Sequence, residues 1–171
     1  ASFPDADADE SNADVNINVK LIGDAANNYK LTNGAYTAVS AAKINKAANT
    51  VKSTDITAVY GDTDKAVSVS DAIGDVTYAV TNGSDVVSVD ENGELTILKA
   101  GKAEIKISAA GNTNYAAGNA VITVTAAKKA VTIKVDDQTK TKGDSDPEFT
   151  GNVIGLVNDN DLGTITYKRA D

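Results

Sequence analysis

The residues with spacing suited to chemistry are acids. Asp5-x-Asp7-x-Asp9 has the alternating carboxylates that open a calcium loop. The rest of such a loop is missing. Its sixth position, where the chain must turn sharply at Gly, is Glu10, and its twelfth, where a bidentate Glu closes the site, is Asn16. A solvated acidic loop is the expectation, with weak calcium binding through Asp5, Asp7 and Asp9 as the alternative. Gly61-Asp62-x-Asp64 and Gly143-Asp144-x-Asp146 repeat one element, and an ion held by Asp144 and Asp146 is again a weak candidate. A Gly-dependent bend whose Asp caps free amides is the better account, because Asp favours that role wherever a chain turns. Asn158-Asp159-Asn160-Asp161 reads the same way. No catalytic residue or cofactor is assigned, and no metal site beyond that weak calcium alternative.

Composition removes most other chemistry. The chain of 171 residues has no His and no Cys, which excludes Ser-His-Asp and Cys-His nucleophiles, thiolate zinc sites, histidine-ligated metals and disulfides. A net charge of −8 argues against a nucleic-acid partner, which demands a basic face, and against an anionic membrane surface. No apolar run approaches the ~20 residues of a membrane span, so no insertion is expected. The six Tyr could form a stacking platform for sugars, but Tyr29, Tyr78, Tyr115 and Tyr167 recur at equivalent places, which suggests packing. A Lys–Asn isopeptide staple would suit a chain without Cys, yet Lys, Asn and acids are too abundant for the sequence to select a trio.

The elements that must position these residues are strands. Val87 and Val89, then Leu95 and Ile97, then Ala103, Ile105 and Ile107 alternate with polar neighbours, a period of two that writes three short strands with one buried face. Asn92-Gly93 between the first two suits a tight hairpin, and the three read as a meander. Further strands are expected at 15–21, 29–32, 35–40, 56–60, 67–69, 76–80, 120–125, 131–135 and 164–167. Residues 1–14 show no period, and 41–48 read as a linker with Lys43 and Lys46 exposed. Aromatics are only 5%, so the core must be Val, Ile, Leu and Ala, as in a thin sandwich. The fold expected is all-β: tandem immunoglobulin-like antiparallel β-sandwiches.

The chain also repeats itself. The Gly-Asp-x-Asp elements at 61 and 143 are 82 residues apart, and Asn28-Tyr29 matches Asn114-Tyr115 at an offset of 86. Residues 1–47 therefore read as the C-terminal half of a repeat, 48–127 as one complete sandwich, and 128–171 as the N-terminal half of another. Half a sandwich cannot cover its apolar face or its edges, so the ends are expected to pair within one chain, between neighbouring copies, or with adjoining repeats of a longer array.

Residues 84–107 resemble a bacterial immunoglobulin-like domain of the group 2, invasin/intimin type, in Val87-x-Val89-x-x-x-Gly93-x-Leu95-Thr96 and Ala100-Gly101-x-Ala103-x-Ile105. Residues 130–167 resemble the start of the MBG-type repeat of bacterial surface proteins, in Asp136-Asp137-Gln138, Lys140, Gly143-Asp144-x-Asp146-Pro147 and Gly155-Leu156-Val157. Lys142 departs from the Tyr usual before that Gly, whereas Tyr60 keeps it. Residues 1–47 resemble the end of a YDG-type repeat, in Phe3, Val15 to Leu21 and Gly23-Asp24-Ala25. The resemblance implies a structural or adhesive module, without catalysis, of a secreted or surface-anchored bacterial protein. Its implied partners are neighbouring repeats, copies of itself, or a host or cell-surface ligand. A carbohydrate- or host-ligand-binding module using loops and Tyr at one end of a sandwich is the alternative, and glycoside hydrolysis by paired carboxylates ranks third.

Overall fold

The structure is a computed structural model and describes residues 7–13, 20–31 and 42–170. Its described residues form ten strands and a single 3₁₀ turn, Ala26–Asn28. In chain order the strands are β1 (Asp9–Ala13), β2 (Ala42–Ile44), β3 (Ile56–Val59), β4 (Val76–Asn82), β5 (Val87–Val89), β6 (Leu95–Ile97), β7 (Gly101–Ala109), β8 (Gly118–Ala127), β9 (Thr132–Val135) and β10 (Gly151–Ile154). The chain is all-β. Among the described residues no helix is long and apolar enough to cross a membrane.

The longest strands form where alternation is longest. In β7, Ala103, Ile105, Ile107 and Ala109 are buried while Lys102, Glu104 and Lys106 face solvent. In β8, Ile122, Val124 and Ala126 are buried in the same way. These two strands are the centre of a four-stranded sheet in the order β3-β8-β7-β4, and β5 and β6 form a separate two-stranded sheet. Val87, Leu95 and Ile97 bury one face of that hairpin. Two sheets that each bury one face are consistent with a two-layer β-sandwich. Burying one large aliphatic side chain stabilises the fold by about 1.5–3 kcal/mol, so Ile105, Ile107, Val87 and Val124, all fully buried, are the principal anchors.

Several expectations are corrected. The sheets are not purely antiparallel: β3 runs parallel to β8, with Ile56 opposite Val124 and Val59 opposite Ala127. A parallel pair needs a long crossover, and everything between β3 and β8 supplies it. The meander stops at β6, because among the described residues β6 forms a ladder with β5 alone while β7 joins the larger sheet. The β5–β6 turn is longer than a two-residue hairpin. Asp90 accepts N–H bonds from Asn92 (2.9 Å) and Glu94 (2.8 Å) on Oδ1, and only Gly93 takes a positive φ, 85°. Val67–Val69 is no strand; the flanking Ala66 and Ser70 make single bridges to Glu94 and Lys52, so the segment has no continuous partner. Thr164–Tyr167 and the described part of the 29–32 segment are irregular, and the supposed linker contains β2. The aperiodic Asp9–Ala13 forms β1, pairing Asp9 with Ile44 and Ala13 with Ala42. Of the strand expected at 15–21 the described Lys20 and Leu21 are irregular, and the rest of it and 35–40 lie outside the described residues.

The chain divides into two compact units. One draws on Ala1–Lys52, Val69–Thr77 and Ile107–Ala120. Its buried polar residue is Asn49, whose side chain mimics a strand neighbour: Nδ2 donates to Ile73 O (2.8 Å) and Oδ1 accepts from Ile73 N (3.0 Å). A buried amide satisfied on both atoms avoids the penalty of about 1–3 kcal/mol for an unpaired polar group. The other unit comprises Ser53–Ser68, Tyr78–Lys106 and Val121–Asp171. It contains β9 and β10, an antiparallel pair with Ile133 opposite Val153. Every residue of β9 is exposed.

Candidate functional site

The most built feature of the second unit begins where β3 ends. Tyr60 N–H donates to Ala127 O (2.9 Å), extending the parallel ladder by one bond. The chain then reverses. Asp62 N–H bonds Val59 O (3.0 Å), and Val59 N–H bonds Asp62 Oδ2 (2.9 Å). Gly61, third in this turn, has φ 88°, a value that side chains with a Cβ rarely adopt and that a type II turn requires at this place. It has a second reason to be Gly. A Cβ there would overlap the Val157 side chain, which sits directly on the turn.

Val157 leads into a loop that fastens itself and Tyr60 together. Asp161 N–H bonds Asn158 O (3.1 Å), and the Asp161 carboxylate accepts from the Asn158 backbone (3.1 Å) and side chain (3.2 Å). The Tyr60 hydroxyl donates to Asp161 Oδ2 (3.1 Å), with Asn158 Nδ2 at 3.5 Å. The Asn158 backbone N–H foremost, with its side chain and the Tyr60 hydroxyl, holds the Asp161 carboxyl below the usual carboxylate value against some desolvation. Desolvation first, and then the Asp161 carboxylate, pushes the half-buried Tyr60 phenol above its ordinary 10.0. A type II turn is thus clamped by an apolar contact and a hydrogen-bonded Tyr–Asp pair across about a hundred residues of sequence.

The second Gly-Asp-x-Asp element makes the same turn. Asp144 N–H bonds Thr141 O (3.1 Å), and Gly143 has φ 100°. Here nothing among the described residues lies within 4 Å of where a Cβ would be, and Lys142, in the place of Tyr60, is exposed. The Asp146 carboxylate and the Asp144 backbone carbonyl are engaged with cations of the chain itself. Lys140 Nζ bonds Asp144 O (3.1 Å) and Asp146 Oδ1 (2.7 Å), and Arg169 approaches both Asp146 oxygens (3.0 and 2.9 Å). Lys140 chiefly, with Arg169, lowers the Asp146 pKa. Asp7 accepts from Asn114 Nδ2 (2.8 Å), while the Asn114 Oδ1 receives Ala8 N–H (2.6 Å). Asp9 lies in β1 and Asp5 outside the described residues. Among the described residues no three acids gather as a metal would require.

The Tyr residues mostly pack. Tyr78 lies against Gly93 and Tyr167 against Gly151, each ring 3.0 Å from where a Cβ would stand on that glycine. Tyr115 is half-buried, its N–H bonded to Asn112 Oδ1 (3.0 Å). Tyr29 differs at 72% exposure, and Tyr36 lies outside the described residues. Beside the clamp is an open cleft of about 330 Å³ lined by Tyr60, Leu98, Lys99, Lys128, Lys129 and Asp161. Lys99 is paired with Asp85 (3.1 Å). Sequence reasoning reached the turns through Gly-Asp-x-Asp and named Val157 only within the MBG resemblance; that it would seat on Gly61 has no local signal.

The segment that carries this loop has a family match. Residues 131–171 match the family model described as MBG domain (YGX type). This bears out the MBG resemblance of 130–167. The immunoglobulin-like resemblance of 84–107 rests on its own residues. The matched segment supplies both Val157 and the Lys142-Gly143 turn, whereas the Tyr60-Gly61 turn lies outside the matched residues. No curated protein matches the chain.

Proposed function

We propose that this chain is a structural repeat module of a bacterial surface protein, acting by spacing and by resisting extension, not by catalysis. In this reading 48–127 is the complete sandwich, and 1–47 and 128–171 are halves completed by neighbouring repeats or copies. The module works outside the cell, in a stalk, array or fibre. The observation that supports it most is the clamp itself: Val157, Asn158 and Asp161 of the MBG segment seated on the Tyr60-Gly61 turn of the preceding section. A module whose task is spacing needs its successive sections held at a fixed angle, and this contact supplies an apolar stop and a directional hydrogen bond for that purpose. The MBG match supports a repeat of surface proteins in general terms. The test is limited proteolysis of Gly61→Val. Release of the loop should expose 155–163 to cleavage while β7 and β8 stay protected; a cleavage pattern unchanged from wild type would sink the clamp.

A carbohydrate-binding role is the second reading, favoured by the cleft beside Tyr60. Its aromatic wall, its Lys128 and Lys129 rim and its Asp161 acceptor suit a sugar that carries a carboxylate. Titration with uronic acids against neutral hexoses, read at the Tyr60 and Lys128 amides, separates it from a purely structural module.

A further inference from the structure

Two turns of one backbone design differ in what covers them. At Val59–Asp62 and at Thr141–Asp144 the fourth N–H returns to the first carbonyl, and the third residue is a glycine with φ 88° or 100°. Gly61 is covered by Val157, and its neighbour Tyr60 is bonded to Asp161. Gly143 is uncovered, and among the described residues Lys142 has no ion-pair partner. Positive φ alone explains why both are Gly. It does not explain why the second turn is held so firmly, its flank fixed by Lys140 to Asp146 and by Arg169 to the same carboxylate. An open concavity of about 470 Å³ lies beside it, lined by Thr139, Lys140, Thr141, Asp144, Ser145 and Pro147.

We propose that the Thr141–Asp144 turn is a docking site for the Val-Asn-x-x-Asp loop of a further repeat of this kind. A branched apolar side chain would seat on Gly143 as Val157 does on Gly61. The carboxylate four residues later would meet Lys142 in place of the Tyr60 hydroxyl. The geometry is a continuation of an interface already formed within the chain, and charge agrees. Val157–Asp161 carries Asp159 and Asp161, whereas the exposed turn presents Lys142. An ammonium has three donors on a flexible stem, so it reaches the same acceptor, but through a charge that salt screens. This inference rests on reading the Tyr60 clamp as a joint between successive sections.

The test uses the whole ¹⁵N-labelled chain and a synthetic peptide of Gly155–Leu162. The chain's own loop is tethered, so its high effective concentration keeps the peptide off Gly61. Saturable shifts are expected at Thr141–Asp144, weakening as salt rises. Deleting the valine side chain in the peptide, Val157→Gly, should raise Kd about threefold to tenfold, the worth of an aliphatic group only partly removed from water, as Val157 is on Gly61. Lys142→Glu, which keeps the glycine turn, should abolish binding by like-charge repulsion, and Gly143→Val should abolish it sterically. No shift at Thr141–Asp144 at several millimolar peptide, or equal binding by the Val157→Gly peptide, overturns the proposal. So do the same shifts produced by calcium or by sugar alone. Shifts confined to Val59–Asp62 would overturn it while sustaining the Tyr60 joint. Gly61→Val leaving the amides of 155–162 unmoved would instead overturn the joint reading.

Discussion

Gly61 carries two constraints on one atom that it lacks, a left-handed φ and a neighbour in the way. Each is costly to violate, so Gly61→Val should destabilise by about 2–4 kcal/mol. Gly163, which has neither a positive φ nor any atom within 4 Å, is the control; Gly163→Ala should stay within about 0.5 kcal/mol. Chemical denaturation of both variants reads the difference directly, and equal midpoints would show that neither constraint operates. Core positions give the upper mark: Ile105→Ala, at a fully buried site of the central sheet, should cost about 2–5 kcal/mol. At this scale the sequence was legible where a residue's role is local. Positive φ at Gly93 follows from Asn-Gly, and turn chemistry at Asn158–Asp161 follows from Asn and Asp themselves. Asn49 pairing with Ile73, and Val157 on Gly61, depend on which distant backbone happens to arrive, and no local rule encodes that.

Elements differ in how much of their stability they share. Strands β7 and β8 read plainly because their long alternating runs leave one register that buries Ala103, Ile105, Ile107 and Ala109 of one and Ile122, Val124 and Ala126 of the other, with only Val121 and Ala127 of their aliphatic residues turned to solvent. Val67–Val69 and Thr164–Tyr167 carry the same kind of residues over three or four positions, as β5 and β6 do, and differ from them only in that no partner strand runs alongside among the described residues. Asp9–Ala13 is a strand by pairing alone, with no β-branched residue to announce it. The same contrast governs exchange. Amides of Ile105, Ile107 and Val124 should exchange last, at the global unfolding free energy, and those of the exposed β9 orders of magnitude sooner. Exchange mass spectrometry at the peptide level decides it. The clamp element has its own pH window. Asp161 is depressed below its ordinary 3.8, so its contribution is present above that value and lost as pH falls through the depressed one. Tyr60 is raised above 10.0, so its contribution holds below that value and disappears as pH rises through the raised one. Chemical shifts of Asn158 and Tyr60 should therefore be level between about pH 5 and pH 9 and move together beyond either end. Loosening near neutral pH would show that another group controls the loop.

For the whole molecule, the informative comparison is between the part that owns a core and the part that borrows contacts. The buried aliphatic residues of the chain all lie between Val51 and Ala126 among the described residues. Beyond Ala127, Val131, Ile133, Val135, Ile154 and Leu162 are exposed, and the only ladder among the described residues there is the two-stranded β9–β10. An isolated two-stranded pair is marginal in water, because its apolar surface stays wet while its backbone entropy must still be lost. The MBG segment is then ordered chiefly by what it touches, and the Tyr60 clamp is the best-defined of those contacts. Two outcomes follow for a chain cut after Ala127. The remaining part should keep cooperative unfolding, with a loss of stability smaller than that of Ile105→Ala, since no core residue is removed. The excised residues 128–171 alone should give the collapsed amide dispersion of an unfolded peptide. Dispersed spectra from the excised segment would mean that it folds on its own, and the dependence of one repeat on the next, on which a spacing role turns, would fail with it.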